Sequence, residues 1–216
     1  MEVRTIEART HGRYLVRPPR VKGPWPLLVG FHGYRENAAT HMAILESIPG
    51  TEKWLIVAVQ GLHRFYMKGG DVVASWMTRE DRELAIADNV AYVDRVVAAV
   101  RVEFATGEPL FFAGFSQGTA MAFRAAAHLR ANGLIVVGAD VPPDVAAGTA
   151  VPLPPVLYGR GRDDELYTAE SHAQDVATLE RLGVAVESVT FDGGHALTPD
   201  FLAAAARTVA RFSTAF

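Results

Sequence analysis

Leu110-Phe111-Phe112-Ala113-Gly114-Phe115-Ser116-Gln117-Gly118-Thr119-Ala120 is the stretch on which the reading of this chain turns. Its first half is a continuous apolar run, the pattern of a strand buried on both faces. Its second half opens a series of small residues and helix formers that extends to Arg130. Between the two lies G-x-S-x-G, with a glycine two residues to either side of Ser116. A strand that turns sharply into a helix holds such a serine in a strained conformation, and side chains in place of the glycines would strike neighbouring backbone. The turn lifts the serine hydroxyl above the end of a sheet.

The same alternation of apolar run and helix-like stretch extends in both directions. Residues 27–31, 54–59, 110–115, 134–138, 155–158 and 184–191 read as buried strands. Residues 78–101, 117–130, 167–181 and 199–212 read as helices, the first with a capping box at Thr78 and Asp81 and the second closed by Asn132-Gly133. Ahead of them, residues 3–9 and 12–17 suggest a hairpin across Thr10-His11-Gly12. Residues 61–77 and the Pro- and Ala-rich stretch 141–155 read as loops. Strands alternating with helices predict an α/β protein with a mostly parallel central sheet and helices on both faces. With 216 residues and no internal repeat, residues 1–216 are expected to form one domain, without room for a large cap.

Composition narrows the chemistry. The chain is 50% hydrophobic and 21% charged, with a formal net charge of −3. Neither sign is clustered, so nucleic acid and anionic membranes are not expected partners. No stretch reaches the roughly 18 apolar residues of a membrane span, and the N-terminus lacks the apolar core of a secretory signal. A soluble cytoplasmic protein, monomer or homodimer, is the expectation. There is no cysteine, which excludes disulfides, thiolate metal sites and a cysteine nucleophile together. No histidine pair has zinc-like spacing with a carboxylate, so neither metal nor cofactor is expected.

A serine hydroxyl needs a base to take its proton, and in this architecture the base follows late in the chain, after the acid that orients it. Among seven histidines, His195 stands in Asp192-Gly193-Gly194-His195, just beyond the last strand, where glycines let a loop bring an imidazole over the sheet. His11, His41, His128 and His172 fall on the opening hairpin or on helices, and His63 on a loop. The acid should leave the preceding strand, within Gly161-Arg162-Asp163-Asp164-Glu165. Asp164 is preferred, Asp163 is the alternative, and the remaining carboxylates are expected to cap the helix that follows. An oxyanion requires two fixed donors. One is the backbone N–H of Gln117; the other is that of Tyr34, where Phe31-His32-Gly33-Tyr34 ends the first parallel strand.

From about residue 27 onward the chain resembles the phospholipase/carboxylesterase family of α/β hydrolases, small esterases related in fold to dienelactone hydrolases. Phe31-His32-Gly33-Tyr34, Gly114-Phe115-Ser116-Gln117-Gly118 and Gly193-Gly194-His195 match its three motifs, the second being the most specific. The resemblance implies an α/β-hydrolase fold and a triad of Ser116, Asp164 and His195. Tyr34 and Gln117 would lend their amides, and the substrates would be carboxylic esters. The chain departs from the usual pattern at an extra Gly159-Arg160, which leaves the alignment of the acid open by one residue. The absence of cysteine separates it from dienelactone hydrolases proper, and a serine at the elbow separates it from dehalogenases and epoxide hydrolases.

Expected substrates are small-molecule esters with short or medium acyl groups, because no inserted apolar lid is visible. Leu62, Phe65, Tyr66, Met67 and Trp76 are candidates for the substrate pocket, as are Leu166 and Leu197 beside the acid and base. Arg160 and Arg162 either attract an acidic substrate group or face solvent. The same residues could serve acyl transfer, peptide cleavage or, with activity lost, a binding protein.

Overall fold

The apolar runs lie side by side in one sheet. A computed structural model describes residues 1–213. In chain order the elements are β1 (Arg13–Arg17), β2 (Trp25–Phe31), α1 (Ala38–Glu46), β3 (Leu55–Gln60), β4 (His63–Tyr66), β5 (Val72–Ser75), α2 (Arg82–Glu103) and β6 (Thr106–Phe115). They continue as α3 (Gln117–His128), β7 (Gly133–Val137), the short α4 (Pro143–Ala146), β8 (Val156–Gly161), α5 (Ala169–Arg181), β9 (Val186–Phe191) and α6 (Pro199–Ser213). The seven-stranded sheet has the order β1-β3-β2-β6-β7-β8-β9, with β1 antiparallel to β3 and every other pairing parallel.

Side chains alternate across each strand, and different helices cover the two faces. Leu27, Val29 and Phe31 of β2, Leu110 and Phe112 of β6, and Leu134 and Val136 of β7 pack with Val93 of α2, Met121 of α3 and Leu179 of α5. Their neighbours Leu28, Phe111, Ala113, Ile135 and Val137 pack with Leu45 of α1 and with Phe201 and Val209 of α6. Burial on both faces is why these strands read as unbroken apolar runs.

Five expectations are corrected. Residues 3–9 form no strand: Val3 and Ile6 are exposed, and β1 finds its partner in β3 rather than in a local hairpin. The long helix begins at Arg82, and its N-cap Asp81 is left-handed (φ 47°) with no side-chain capping bond, while Thr78 Oγ1 donates to the Glu80 carbonyl. Asn132-Gly133 does not close α3, whose C-cap is Leu129. Asn132 Oδ1 accepts the Leu110 N–H at 2.8 Å and Gly133 starts β7. Residues 61–77, read as a loop, contain the β4–β5 hairpin, with Phe65 opposite Val73. The stretch 141–155 also contains α4.

Candidate active site

β6 delivers Ser116 at the C-terminal edge of the sheet with φ 51° and ψ −124°, and α3 starts with the next residue. Neighbours hold this conformation in place. The Ser116 N–H donates to the Val137 carbonyl at 2.9 Å, and the buried Thr119 hydroxyl donates to the same carbonyl at 2.9 Å. A side chain on Gly118 would begin 2.0 Å from the Phe31 carbonyl oxygen, so only glycine lets the helix approach β2 this closely.

β8 leads to Asp164, and the loop after β9 carries His195. His195 Nε2 lies 2.8 Å from Ser116 Oγ, and His195 Nδ1 lies 2.8 Å from Asp164 Oδ2. A carboxylate can only accept, so Nδ1 bears the proton and Nε2 is left to accept from the serine hydroxyl. The Asp164 side chain is 1% exposed and that of His195 20%, which seals the acid from water and leaves the imidazole within reach. Of the two aspartates left open by the sequence, Asp164 meets the ring; Asp163 is exposed. The ring also lies 5.1 Å from that of Phe115 and crosses the end of β7, where Gly138 (φ 75°) would, with a Cβ, come within 3.1 Å of His195 Cε1.

The loop carrying Asp164 is braced from several sides. Asp164 Oδ1 accepts the N–H groups of Leu166 and Tyr167, both at 2.9 Å, while Thr168 caps α5. The carboxylates after β8 therefore do not cap the helix, as the sequence suggested. Tyr167 Oη donates to Asp175 Oδ2 at 2.8 Å, and Tyr158 Oη donates to the Ala139 carbonyl at 2.6 Å. Burial raises the Asp175 carboxyl above its ordinary range, partly offset by the Tyr167 hydroxyl. Arg160 is buried, with its guanidinium donating to the Gly161 carbonyl at 2.7 Å and to the Arg162 carbonyl at 3.1 Å, and Arg162 pairs with Asp192. Arg160 is thus a staple for this loop and does not face solvent.

The turn after β2 is equally determined. The Gly61 N–H donates to His32 Nε2 at 3.0 Å, so the proton resides on Nδ1, which lies 2.7 Å from the Gly33 carbonyl and donates to it. Burial lowers the His32 pKa, which keeps this tautomer neutral. Trp76 Nε1 donates to the His32 carbonyl at 2.8 Å. Gln117 Oε1 accepts the Trp76 N–H at 2.9 Å and the Ser75 hydroxyl at 3.2 Å, tying the end of β5 to the elbow. The turn also holds Glu36, whose carboxyl burial raises, against the opposing pull of the Gly33 N–H and of His195. The roles of the His32 ring, the Gln117 side chain and Glu36 were not read from the sequence, since their partners lie 29 and 41 residues away or depend on the turn's shape.

The candidate pocket residues separate into groups. Phe65 lies 5.8 Å from the Tyr34 ring, and Tyr66 is exposed beside it on β4. Leu166 is exposed next to the acid. Leu197 is half-buried among Ile44, Leu45, Ala113, Gly114 and Phe201, below the elbow. Trp76 is fully buried in the core and supports the site from beneath, and Leu62 turns away to line a cavity with Tyr92 and Arg95. His63 is exposed on β4. Among the described residues, no group of three His, Cys, Asp or Glu side chains is arranged to hold a metal ion, and no helix is long and apolar enough to cross a membrane.

No protein-family model matches the chain, and no curated protein sequence does. Solved structures do. Esterase PE8 is 22% identical with a TM-score of 0.77, over 94% of this chain and 99% of its own. A phospholipase/carboxylesterase from Dyadobacter fermentans is 20% identical with a TM-score of 0.72, over 94% and 99%. Acyl-protein thioesterase 2 of Zea mays is 18% identical with a TM-score of 0.69, over 94% and 100%. Strand order, helix placement and these likenesses agree: the chain has the α/β-hydrolase fold, in the form found in the esterases and phospholipase/carboxylesterases that its motifs resemble.

Proposed function

We propose that the protein is a serine carboxylesterase that hydrolyses short to medium acyl esters through an acyl-enzyme. The observation that supports this best is the unbroken line from Asp164 through His195 to Ser116, two contacts of 2.8 Å each. The esterase and thioesterase names of the structural neighbours point to the same reaction class.

In this reading Ser116 Oγ attacks the ester carbonyl while His195 Nε2 takes its proton, and Asp164 holds the tautomer and stabilises the imidazolium. The carbonyl oxygen becomes an oxyanion held by the N–H groups of Gln117 and Tyr34. As the first residue of α3, Gln117 has an N–H without an intrahelical partner. The imidazolium then gives its proton to the leaving alcohol, and a water activated by His195 cleaves the acyl-enzyme. Phe65, Tyr66, Leu166 and Leu197 are proposed to contact the substrate, with the Tyr34 ring beside Phe65.

A fluorophosphonate probe tests the nucleophile. It should add once, at Ser116, and not to Ser116→Ala; a folded protein that takes no label would overturn the proposal. On nitrophenyl esters, Ser116→Ala and His195→Ala should each lower kcat by about 10⁶-fold, and the double variant by no more. A clear preference for long acyl chains would contradict the proposed substrate range.

A further inference from the structure

The turn after β2 contains a carboxylate that the proposed reaction leaves unused. Glu36 is half-buried, and its Oε2 accepts the Gly33 N–H at 2.7 Å. The Glu36 main-chain N–H in turn donates to the Gly33 carbonyl at 3.3 Å, the same oxygen that the His32 ring holds. Both polar groups of Gly33 are thereby occupied, and the torsions on either side of its Cα are set. The Gly33 carbonyl and the Tyr34 N–H belong to one planar peptide and point in opposite directions, so fixing the first aims the second. Glu36 is itself anchored: the Ala74 N–H donates to its carbonyl at 2.8 Å, and the Arg35 N–H donates to the Ala74 carbonyl at 3.2 Å. Taking a carboxylate out of water is costly, and a single buried main-chain bond offsets only part of that cost.

We propose that Glu36 is a positioning residue for the oxyanion donor, its carboxylate holding the Gly33 N–H so that the Tyr34 amide faces Ser116. The inference rests on the reading of Ser116 as nucleophile.

The test compares Glu36→Ala, which removes the acceptor, with Glu36→Gln, which keeps a carbonyl in its place. On nitrophenyl butyrate, Glu36→Ala should lower kcat about 100-fold with little change in KM, the size expected for loss of one oxyanion donor. Glu36→Gln should recover most of that loss, and hydrogen exchange across residues 32–37 should quicken in the alanine variant and not in the glutamine variant. Glu36→Asp, one methylene short of Gly33, should behave as alanine does and replaces it if Glu36→Ala does not fold. Unchanged kcat in the alanine variant, a rise in KM alone, or a glutamine variant as impaired as alanine each overturns the proposal. An unlabelled parent protein in the fluorophosphonate assay is a failure of the nucleophile reading instead; the exchange measurement still decides whether Glu36 holds the turn.

Discussion

Asp164 and Tyr167 are joined at the main chain: the carboxylate oxygen that does not face His195 accepts the Tyr167 N–H at 2.9 Å. The acid is thus anchored through one oxygen and presents the other. Asp164→Asn preserves the shape and replaces an obligatory acceptor with a group that can donate, which favours the wrong imidazole tautomer. Turnover of nitrophenyl esters should fall by about 10⁴-fold. Asp163→Asn, altering an exposed neighbour, should leave it unchanged, and equal losses in the two variants would contradict the assignment of the acid.

Gln117 offers a way to separate its side chain from its backbone. Gln117→Ala keeps the N–H proposed for the oxyanion but strands the Trp76 N–H, which now meets its Oε1, while the Ser75 hydroxyl keeps its 2.6 Å bond to the Met77 carbonyl. A buried donor left without a partner costs about 1–3 kcal/mol. Urea unfolding should register a loss of that size while the fluorophosphonate still labels Ser116. An unaltered unfolding midpoint would show that the tie between β5 and the elbow contributes nothing.

His41 predicts the acid limit of stability. Burial, helped by the nearby His32, pulls its pKa down to about 3, and neither ring nitrogen has a hydrogen-bond partner among the described residues. Unfolded, the same ring titrates near 6.5. Between those values the unfolded chain binds a proton that the folded chain refuses, so stability is full above about pH 6.5 and declines by about 1.4 kcal/mol per pH unit toward pH 3. His41→Leu removes both the orphaned nitrogens and the proton. Its urea stability should match or exceed the parent's at pH 7.5 and decline less between pH 6 and 4; parallel acid profiles would refute the assignment.

What could be read from the sequence was what neighbours in the chain determine. The passage from Leu110 to Ala120 specifies strand, elbow and helix by itself, and Gly193-Gly194 marks the loop that frees His195. The parallel strands were visible because burial on both faces leaves an unbroken apolar run. The β4–β5 hairpin was not, because Arg64 and Tyr66 are exposed and the hairpin is fastened by a bridge between Glu36 and Ala74, 38 residues apart in number. The expected opening hairpin fails for the converse reason, since residues 3–9 alternate but meet no ladder. The choice between Asp163 and Asp164 needed the third dimension, as did the roles of His32 and Glu36, whose residue types at a turn suggest only a turn.

β7 contributes no reacting group, yet it sets the gauge of the site. It runs between the strand that leads to Ser116 and the strand that leads to Asp164, so the strands that carry these two residues are held two ladder spacings apart, about 10 Å. That is too far for a direct bond and suited to a five-membered ring lying across the gap. Gly138, where the spacer strand ends, keeps the crossing clear. The span that His195 bridges is therefore dictated by the hydrogen-bond pitch of the sheet, and the pocket walls can vary without altering it.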